Sequence, residues 1–141
     1  MKRPVWPLLL CMLSMLPVPS PARAESSVVV IGHPGLPGVD RVTLMRLYTG
    51  RSIELKGTPV KVVNAAEGSV TRERFLQNVV GMNEARYRAY WTVRRHVGKG
   101  VPPAEVSPDT AVIEFVASTP GAIGYISAQA QTDTLNVIAR H

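Results

Sequence analysis

The sequence predicts an α/β layered sandwich, because strand-like runs and amphipathic helical stretches alternate along a single chain. Four short runs rich in β-branched residues are typical of strands, and they cover residues 28–31, 60–63, 122–126 and 135–138. Apolar residues at helical spacing predict helices over residues 42–48, 69–81 and 83–96 and from Ser107 onward. Three of these helices follow one another between the second and third strands, which departs from simple alternation.

The ends of several elements carry recognisable start signals. The run Val28-Val29-Val30-Ile31 is continuously β-branched, which predicts a strand buried on both faces. Asn83 is a suitable N-terminal cap for the helix that follows it. Ser107-Pro108-Asp109 supplies a capping serine, a proline for the first helical position and an acid at the positive end of the helix dipole.

The first 24 residues differ from the rest of the chain. Lys2 and Arg3 precede an apolar stretch over residues 5–18, and Ala22-Arg23-Ala24 places small residues at the −3 and −1 positions of a cleavage site. This order is typical of a secretory signal peptide, and the apolar stretch is shorter than the ~18 residues that a membrane-spanning helix needs. The sequence therefore predicts a signal peptide over residues 1–24 and one exported, periplasmic domain over residues 25–141.

Composition narrows the function of that domain. Removal of residues 1–24 leaves 117 residues without a cysteine, which excludes an internal disulfide, a thiolate metal site and a cysteine nucleophile. The domain has 13 basic and 10 acidic residues, a net charge of +3. Such a charge favours anionic ligands mildly and does not indicate a nucleic-acid binder. The histidines are too widely spaced to predict a metal site. Because no catalytic motif is evident, no catalytic residue and no cofactor are predicted.

The junction between the second strand and the next helix has the features of an anion site. A short loop with Gly68 and Ser69 leads into a helix N-terminus, where free backbone N–H groups and the helix dipole favour negative charge. Thr71 adds a second hydroxyl, and Arg72 or Arg74 could add positive charge. The alternative is that Ser69 only caps the helix and that the arginines are solvated. The residues alone leave both alternatives open.

Two stretches resemble the periplasmic phosphate-binding proteins of ABC transporters. At the strand-to-helix junction that family carries a loop reading roughly Arg-Ser-Asp-Gly-Ser-Gly-Thr, and the matching stretch here is Ala65-Ala66-Glu67-Gly68-Ser69-Val70-Thr71. Later, Thr119-Pro120-Gly121-Ala122-Ile123-Gly124-Tyr125-Ile126 is similar to the family's Pro-Gly-Ala-Ile-Gly-Tyr segment. Residues 98–103 also resemble a group of short, single-domain relatives. The resemblance spans nearly all of residues 28–126, and it implies one lobe of a type II periplasmic binding protein.

The resemblance implies oxyanion contacts at Gly68, Ser69 and Thr71, with Arg72 as a substitute cation. The family's phosphate-contacting arginine is Ala65 here, which removes the strongest charge-assisted hydrogen bonds to an oxyanion. A chain of this length matches one lobe only, so it can enclose an anion only if a partner, such as a second copy in a homodimer, supplies the other wall.

The leading hypothesis is therefore a non-enzymatic, periplasmic solute-binding-type protein related to ABC-transporter substrate binding. It would bind phosphate or another small oxyanion weakly, or would have lost that binding. The alternative hypothesis is an envelope protein–protein interaction module on the same scaffold, whose partner would be a membrane transporter or another envelope protein.

One helix carries two further candidates. Tyr87 and Trp91 lie on one stripe, for which core packing is favoured over an exposed stacking platform. Arg94, Arg95 and Lys99 lie at the end of the same helix, where the dipole favours cations. These basic residues are interpreted first as a solvated face and second as a docking patch.

Overall fold

Strand pairing in the computed structural model, which describes residues 27–141, places the first strand of the chain inside the main sheet. The strands are β1 (Val28–Gly32), β2 (Glu54–Leu55), β3 (Thr58–Pro59), β4 (Lys61–Asn64), β5 (Ala104–Glu105), β6 (Ala122–Ser127) and β7 (Val137–Arg140). Five of them form a sheet in the order β5-β4-β6-β1-β7, and β2 and β3 form a separate hairpin. β4 runs parallel to both β5 and β6, whereas β1 runs antiparallel to both β6 and β7. The predicted signal peptide lies outside the described residues.

Helices cover both faces of the sheet. They are α1 (Arg41–Tyr48), α2 (Val70–Phe75), α3 (Glu84–His96) and α4 (Asp109–Ser118), with a π-helical turn at Leu76–Val80 and a 3₁₀ turn at Ala128–Ala130. β1 shows how one strand serves both faces. Val28 and Val30 belong to the apolar core that contains α1, α2 and α3 residues, while Val29 and Ile31 belong to the core beneath α4. All five residues of β1 are buried, as the continuous apolar run predicts.

The contact between α4 and the sheet depends on a glycine in β6. A Cβ atom at Gly124 would lie 2.6 Å from Cγ1 of Val112, closer than two carbon atoms can pack. Gly124 therefore lets α4 approach the sheet closely enough for Val112 and Val116 to be buried. This tight packing fixes the start of α4, which faces the candidate site described below.

Several predicted boundaries are confirmed and others are wrong. The Asn83 side chain caps α3 by accepting a hydrogen bond of 2.9 Å from the backbone N–H of Arg86. By contrast, α4 begins at Asp109 and not at Pro108, and Ser107 supplies no side-chain cap. The Asp109 carboxylate instead accepts hydrogen bonds from the backbone and hydroxyl of Ser127. The last strand covers Val137–Arg140 where residues 135–138 were expected.

Candidate oxyanion site and a charged pocket

Two buried tyrosines, Tyr48 and Tyr125, support the carboxyl end of β4, where the candidate site begins. Tyr48 donates a 2.9 Å hydrogen bond to the carbonyl of Val63, and Tyr125 accepts one of 3.1 Å from the backbone N–H of Ala65. The Tyr125 hydroxyl also donates to the side-chain oxygen of Asn64. Burial raises the pKa of both Tyr48 and Tyr125, so both hydroxyls stay protonated and available as donors at neutral pH. The strand end is therefore held by hydrogen bonds to the core.

The loop after β4 leads directly into the start of α2. Gly68 has a φ of 84°, a left-handed conformation that glycine adopts without steric cost. Ser69 caps the helix, because its side-chain oxygen accepts a 3.2 Å hydrogen bond from the N–H of Arg72. Within residues 27–141, the backbone N–H groups of Val70 and Thr71 have no hydrogen-bond partner. These two donors are the ones that a helix start leaves free for an anion or for water.

An open pocket of about 310 Å³ lies beside this helix start. Ser69 and Thr71 line one side of it, and Ser107 and Asp109 line the other side. Ala65 also lines the pocket, so no arginine stands at that position. The carboxylate of Asp109 opposes an anion, although two of its electron pairs are already engaged by Ser127. The pocket thus offers hydroxyl and N–H donors without a compensating cation.

Arg72 points into a different part of the molecule. Its guanidinium donates hydrogen bonds of 2.9 and 2.7 Å to the two carboxylate oxygens of Glu84 on α3, and one of 2.6 Å to Glu105 on β5. A fourth bond of 3.1 Å goes to the backbone carbonyl of Ala65. Arg72 is only 6% exposed, so it joins α2, α3, β5 and the loop after β4. Burial lowers the pKa of Arg72, but the hydrogen bond and charge of Glu84 outweigh burial and raise the pKa overall.

A second pocket, of about 240 Å³, surrounds this ion cluster. Arg72, Glu84 and Glu105 lie on its wall together with a pair formed by Glu67 and Arg88. Each of these five charges has an opposite charge within contact distance. Arg95 also lines the pocket, so three basic and three acidic side chains balance one another, and the pocket has little net charge for attracting a small ion of either sign.

The structure brings together only part of the predicted site. Ser69 and Thr71 share the open pocket, and Gly68 shapes the loop that precedes it. Arg72 lines the other pocket, and four of its five N–H donors already have protein acceptors. Glu84 and Glu105, the partners of Arg72, were not among the residues predicted for the site. They lie 12 and 33 residues further along the chain, and no local spacing connects them to Arg72.

The other residues that the sequence singled out can also be placed in the structure. Tyr87 and Trp91 are buried, at 1% and 5% exposure, which confirms core packing over a stacking platform. The Tyr87 hydroxyl donates a 2.8 Å hydrogen bond to the carbonyl of Tyr48. The His33 ring contacts the carbonyl oxygen of Val116 at 3.0 Å. In the part of the chain that the structure describes, no group of three His, Asp or Glu side chains is placed to hold a metal ion.

The sheet order, the helices on both faces and the helix start at the carboxyl end of β4 describe a single α/β lobe. Solved phosphate-binding proteins share this fold. A phosphate ABC transporter substrate-binding protein from Clostridium perfringens, solved with bound phosphate, matches with a TM-score of 0.61 and 23% identity over 79% of this chain and 44% of its own. An ABC-type phosphate transport receptor from Vibrio cholerae matches with a TM-score of 0.60 and 17% identity, over 79% and 45%. PstS from Borrelia burgdorferi matches with a TM-score of 0.61 and 15% identity, over 80% and 46%.

These likenesses confirm the predicted fold class. No protein-family model and no curated protein matches the sequence, and at the identities of the solved structures the likeness establishes the fold alone. The chain spans less than half the length of each of these three proteins. Within residues 27–141, no helix combines the length and the apolar character that crossing a bilayer requires.

Proposed function

We propose that the protein is a non-enzymatic, solute-binding-type domain that holds phosphate or a similar small oxyanion weakly at the start of α2. The observation that carries the proposal is the open pocket lined by Ser69 and Thr71, beside a helix start where two backbone N–H groups have no partner among the described residues. The neighbouring structures support the same class of ligand, since one of them was solved with bound phosphate. Arg72 takes a supporting role here, because its guanidinium is engaged by Glu84 and Glu105.

The chemistry of the pocket accounts for weak binding. Each net hydrogen bond from a neutral donor contributes about 0.5–1.5 kcal/mol, and association costs several kcal/mol. Two hydroxyls and two N–H groups contribute about 2–6 kcal/mol in total, so after the cost of association the binding free energy is at best about −4 kcal/mol, and the Kd is millimolar or weaker. The Asp109 carboxylate across the pocket acts against tighter binding. A second wall, such as another copy of the chain over the helix start, would exclude water and strengthen every one of these bonds.

Removal of either hydroxyl should weaken phosphate binding. We expect Thr71→Val to raise the Kd for phosphate about two- to tenfold, because one hydrogen bond of about 0.5–1.5 kcal/mol is lost without a change in side-chain shape. Ser69→Ala should have a similar effect, together with a loss of helix stability from the missing cap. Isothermal titration calorimetry with inorganic phosphate measures both changes.

Ser118→Ala is the matched control, since it removes a hydroxyl from the far end of α4 and should leave the Kd unchanged. Micromolar binding by a proven monomer would contradict the open-pocket account. If the wild-type protein shows no binding at roughly tens of millimolar phosphate, in any oligomeric state, the oxyanion proposal is wrong.

A second candidate function is an interaction module on the same scaffold. The observation that favours it is a pair of strongly exposed apolar side chains, Ile53 and Val101, beside the buried Trp91. Isolated apolar residues on a surface are ordinary, but an apolar recess bordered by polar residues is typical of a protein contact.

We also propose that the chain is exported and cleaved after Ala24. The basic start, the short apolar stretch and the small residues before Glu25 support a signal peptide. N-terminal sequencing of protein recovered from the cell envelope should give Glu25 as the first residue. Ala24→Lys should block cleavage, because the −1 position requires a small residue. Recovery of the full-length chain from wild-type cells would contradict the proposal.

A further inference from the structure

A groove opens on the side of the molecule where α3 ends. We call it the Trp91 groove after its large aromatic residue. Its lining is mostly apolar, and Ser52 is the one polar side chain among the residues that line it. Its apolar side chains include Leu47, Ile53, Val60, Trp91, Val101 and Pro103. Its volume is about 160 Å³, close to the ~150 Å³ of a cavity that accommodates one benzene molecule. The groove can therefore take one large apolar side chain.

The two rims of the groove project into solvent. Ile53 is 76% exposed and Val101 is 67% exposed, so each leaves most of its apolar surface in water. The floor is held in place from below, because the Arg94 guanidinium lies 5.6 Å from the Trp91 ring centroid and donates to the carbonyls of Gly50 and Lys99. These two bonds connect the segment before Ile53 to the segment before Val101. The groove is thus preformed, which reduces the ordering cost of binding.

Positive charge is concentrated on the segment of the chain that supplies Trp91. Residues 27–141 contain 13 Lys and Arg and nine Asp and Glu, a net charge of +4. Residues 84–100 contain five of those basic residues and a single acid, which is also a net charge of +4. The rest of the described chain is therefore neutral as a whole. Glu84 is paired with Arg72, and Arg88 is paired with Glu67. Within the described residues, the four other basic side chains of this segment, Arg86, Arg94, Arg95 and Lys99, form no ion pair, so the end of α3 and the turn after it carry net positive charge.

We propose that the Trp91 groove binds a segment of another protein that inserts one large apolar side chain and carries carboxylates on both sides of it. Charge complementarity selects the flanking residues. Arg95 lines the neighbouring pocket, which shares Trp91 and Pro103 with the groove, and the Lys99 carbonyl accepts a hydrogen bond from Arg94, which lies against the Trp91 ring. The shape of the groove favours an inserted side chain over a membrane surface. A bilayer would contact the protruding residues Ile53 and Val101 and would leave the groove between them unfilled. This inference rests on the interaction-module function and is independent of phosphate binding, which takes place at the start of α2.

Random peptides displayed on phage and selected against the purified protein test this inference. The selected pool should be enriched in peptides with one Leu, Ile, Met or aromatic residue between Asp or Glu residues. For a fluorescent version of a selected peptide, Val101→Asp should raise the Kd about tenfold or more, the scale of a central interface residue. Arg95→Glu combined with Lys99→Glu should weaken binding similarly and reduce its dependence on salt concentration.

Two matched variants control for the chemistry of these substitutions. Val42→Asp introduces the same charge at another exposed valine. Arg140→Glu reverses a charge on β7, the edge strand at the other end of the sheet from β5. Both should leave peptide binding unchanged, and far-UV circular dichroism should show that all variants are folded. Phosphate titration of Val101→Asp should match wild type, which separates failure of this inference from failure of the oxyanion proposal.

Three outcomes would overturn the inference. The first is a selected pool without acidic and apolar enrichment, or one that binds Val101→Asp as well as wild type. The second is a failure to select any peptide, together with binding to vesicles that contain phosphatidylglycerol but not to vesicles of pure phosphatidylcholine. In that case the variant with both Arg95→Glu and Lys99→Glu would no longer bind the vesicles. The third is self-association in sedimentation velocity that Val101→Asp abolishes, which would make a second copy the occupant.

Discussion

Trp91→Ala should lower the free energy of unfolding by about 3–5 kcal/mol, the range for large-to-small changes in a core. The Trp91 ring is 5% exposed and packs edge-on against the rings of Tyr87 and Tyr90, with centroid distances of 6.4 and 5.6 Å. Gly50 lies against the same ring, so closely that a Cβ there would be 2.8 Å from the indole. Alanine would leave a cavity that these neighbours can fill only by moving. Urea denaturation of wild type and variant measures the difference.

Two further substitutions on α3 separate packing from helix propensity. Val93→Ala changes a residue that is 63% exposed and should alter stability by less than about 0.5 kcal/mol. Trp91→Phe should lose less than Trp91→Ala, because the phenyl ring fills more of the site. It also removes the buried Nε1 donor, for which no acceptor is found among the described residues. A loss below about 1 kcal/mol for Trp91→Ala would mean that the ring is exposed in solution.

Arg72→Ala should lower the free energy of unfolding by about 2–3 kcal/mol. Removal of one partner from a fully buried ion pair costs about 3–5 kcal/mol, and the expected loss is smaller here because both glutamates retain contact with water. The side chain of Glu84 is 26% exposed and that of Glu105 is 49% exposed. Arg72→Lys should recover only part of the loss, since an ammonium group cannot span two carboxylates and a carbonyl as the guanidinium does.

Phosphate titration of the same variants distinguishes a supporting arginine from a ligand. Under conditions where Arg72→Ala remains folded, its Kd for phosphate should stay within about twofold of wild type. Arg74→Ala, which changes an arginine two positions along α2, controls for the net charge of the helix. A stable Arg72→Ala variant that no longer binds phosphate would show that Arg72 turns toward the oxyanion and that the cluster with Glu84 and Glu105 is replaceable.

The sequence was sufficient for elements whose signals are local. The β-branched run at residues 28–31 and the Asn83 cap both predicted what the structure contains. Elements that depend on distant partners were missed. Ala104 and Glu105 form β5 only because β4 offers a parallel neighbour, and no local pattern at these two residues predicted a strand. The helix expected over residues 69–81 is present, but its second half is π-helical over Leu76–Val80, and no residue pattern indicated that change.

In the candidate site, too, features with local signals could be predicted and features that depend on distant residues could not. Gly68 and Ser69 could be assigned to a loop and a cap because both functions are local, and the hydroxyls of Ser69 and Thr71 do face one pocket. The direction of the Arg72 side chain could not be predicted from local signals. Adjacent residues at the first turn of a helix point in directions about 100° apart, so the side chain next to Thr71 enters another pocket. Its two carboxylate partners are brought near only when α3 and β5 pack.

The central position of β1 has a consequence for the order of folding. Both of its hydrogen-bonded neighbours, β6 and β7, come from the last 20 residues of the chain. A ribosome must therefore synthesise residues 33–121 before β1 can pair with either neighbour. Contacts between strands so far apart in the chain close a large loop and form slowly. The main sheet can be completed only after β6 and β7 have been synthesised, and until then β1 stays available for passage through a secretion channel in an extended form.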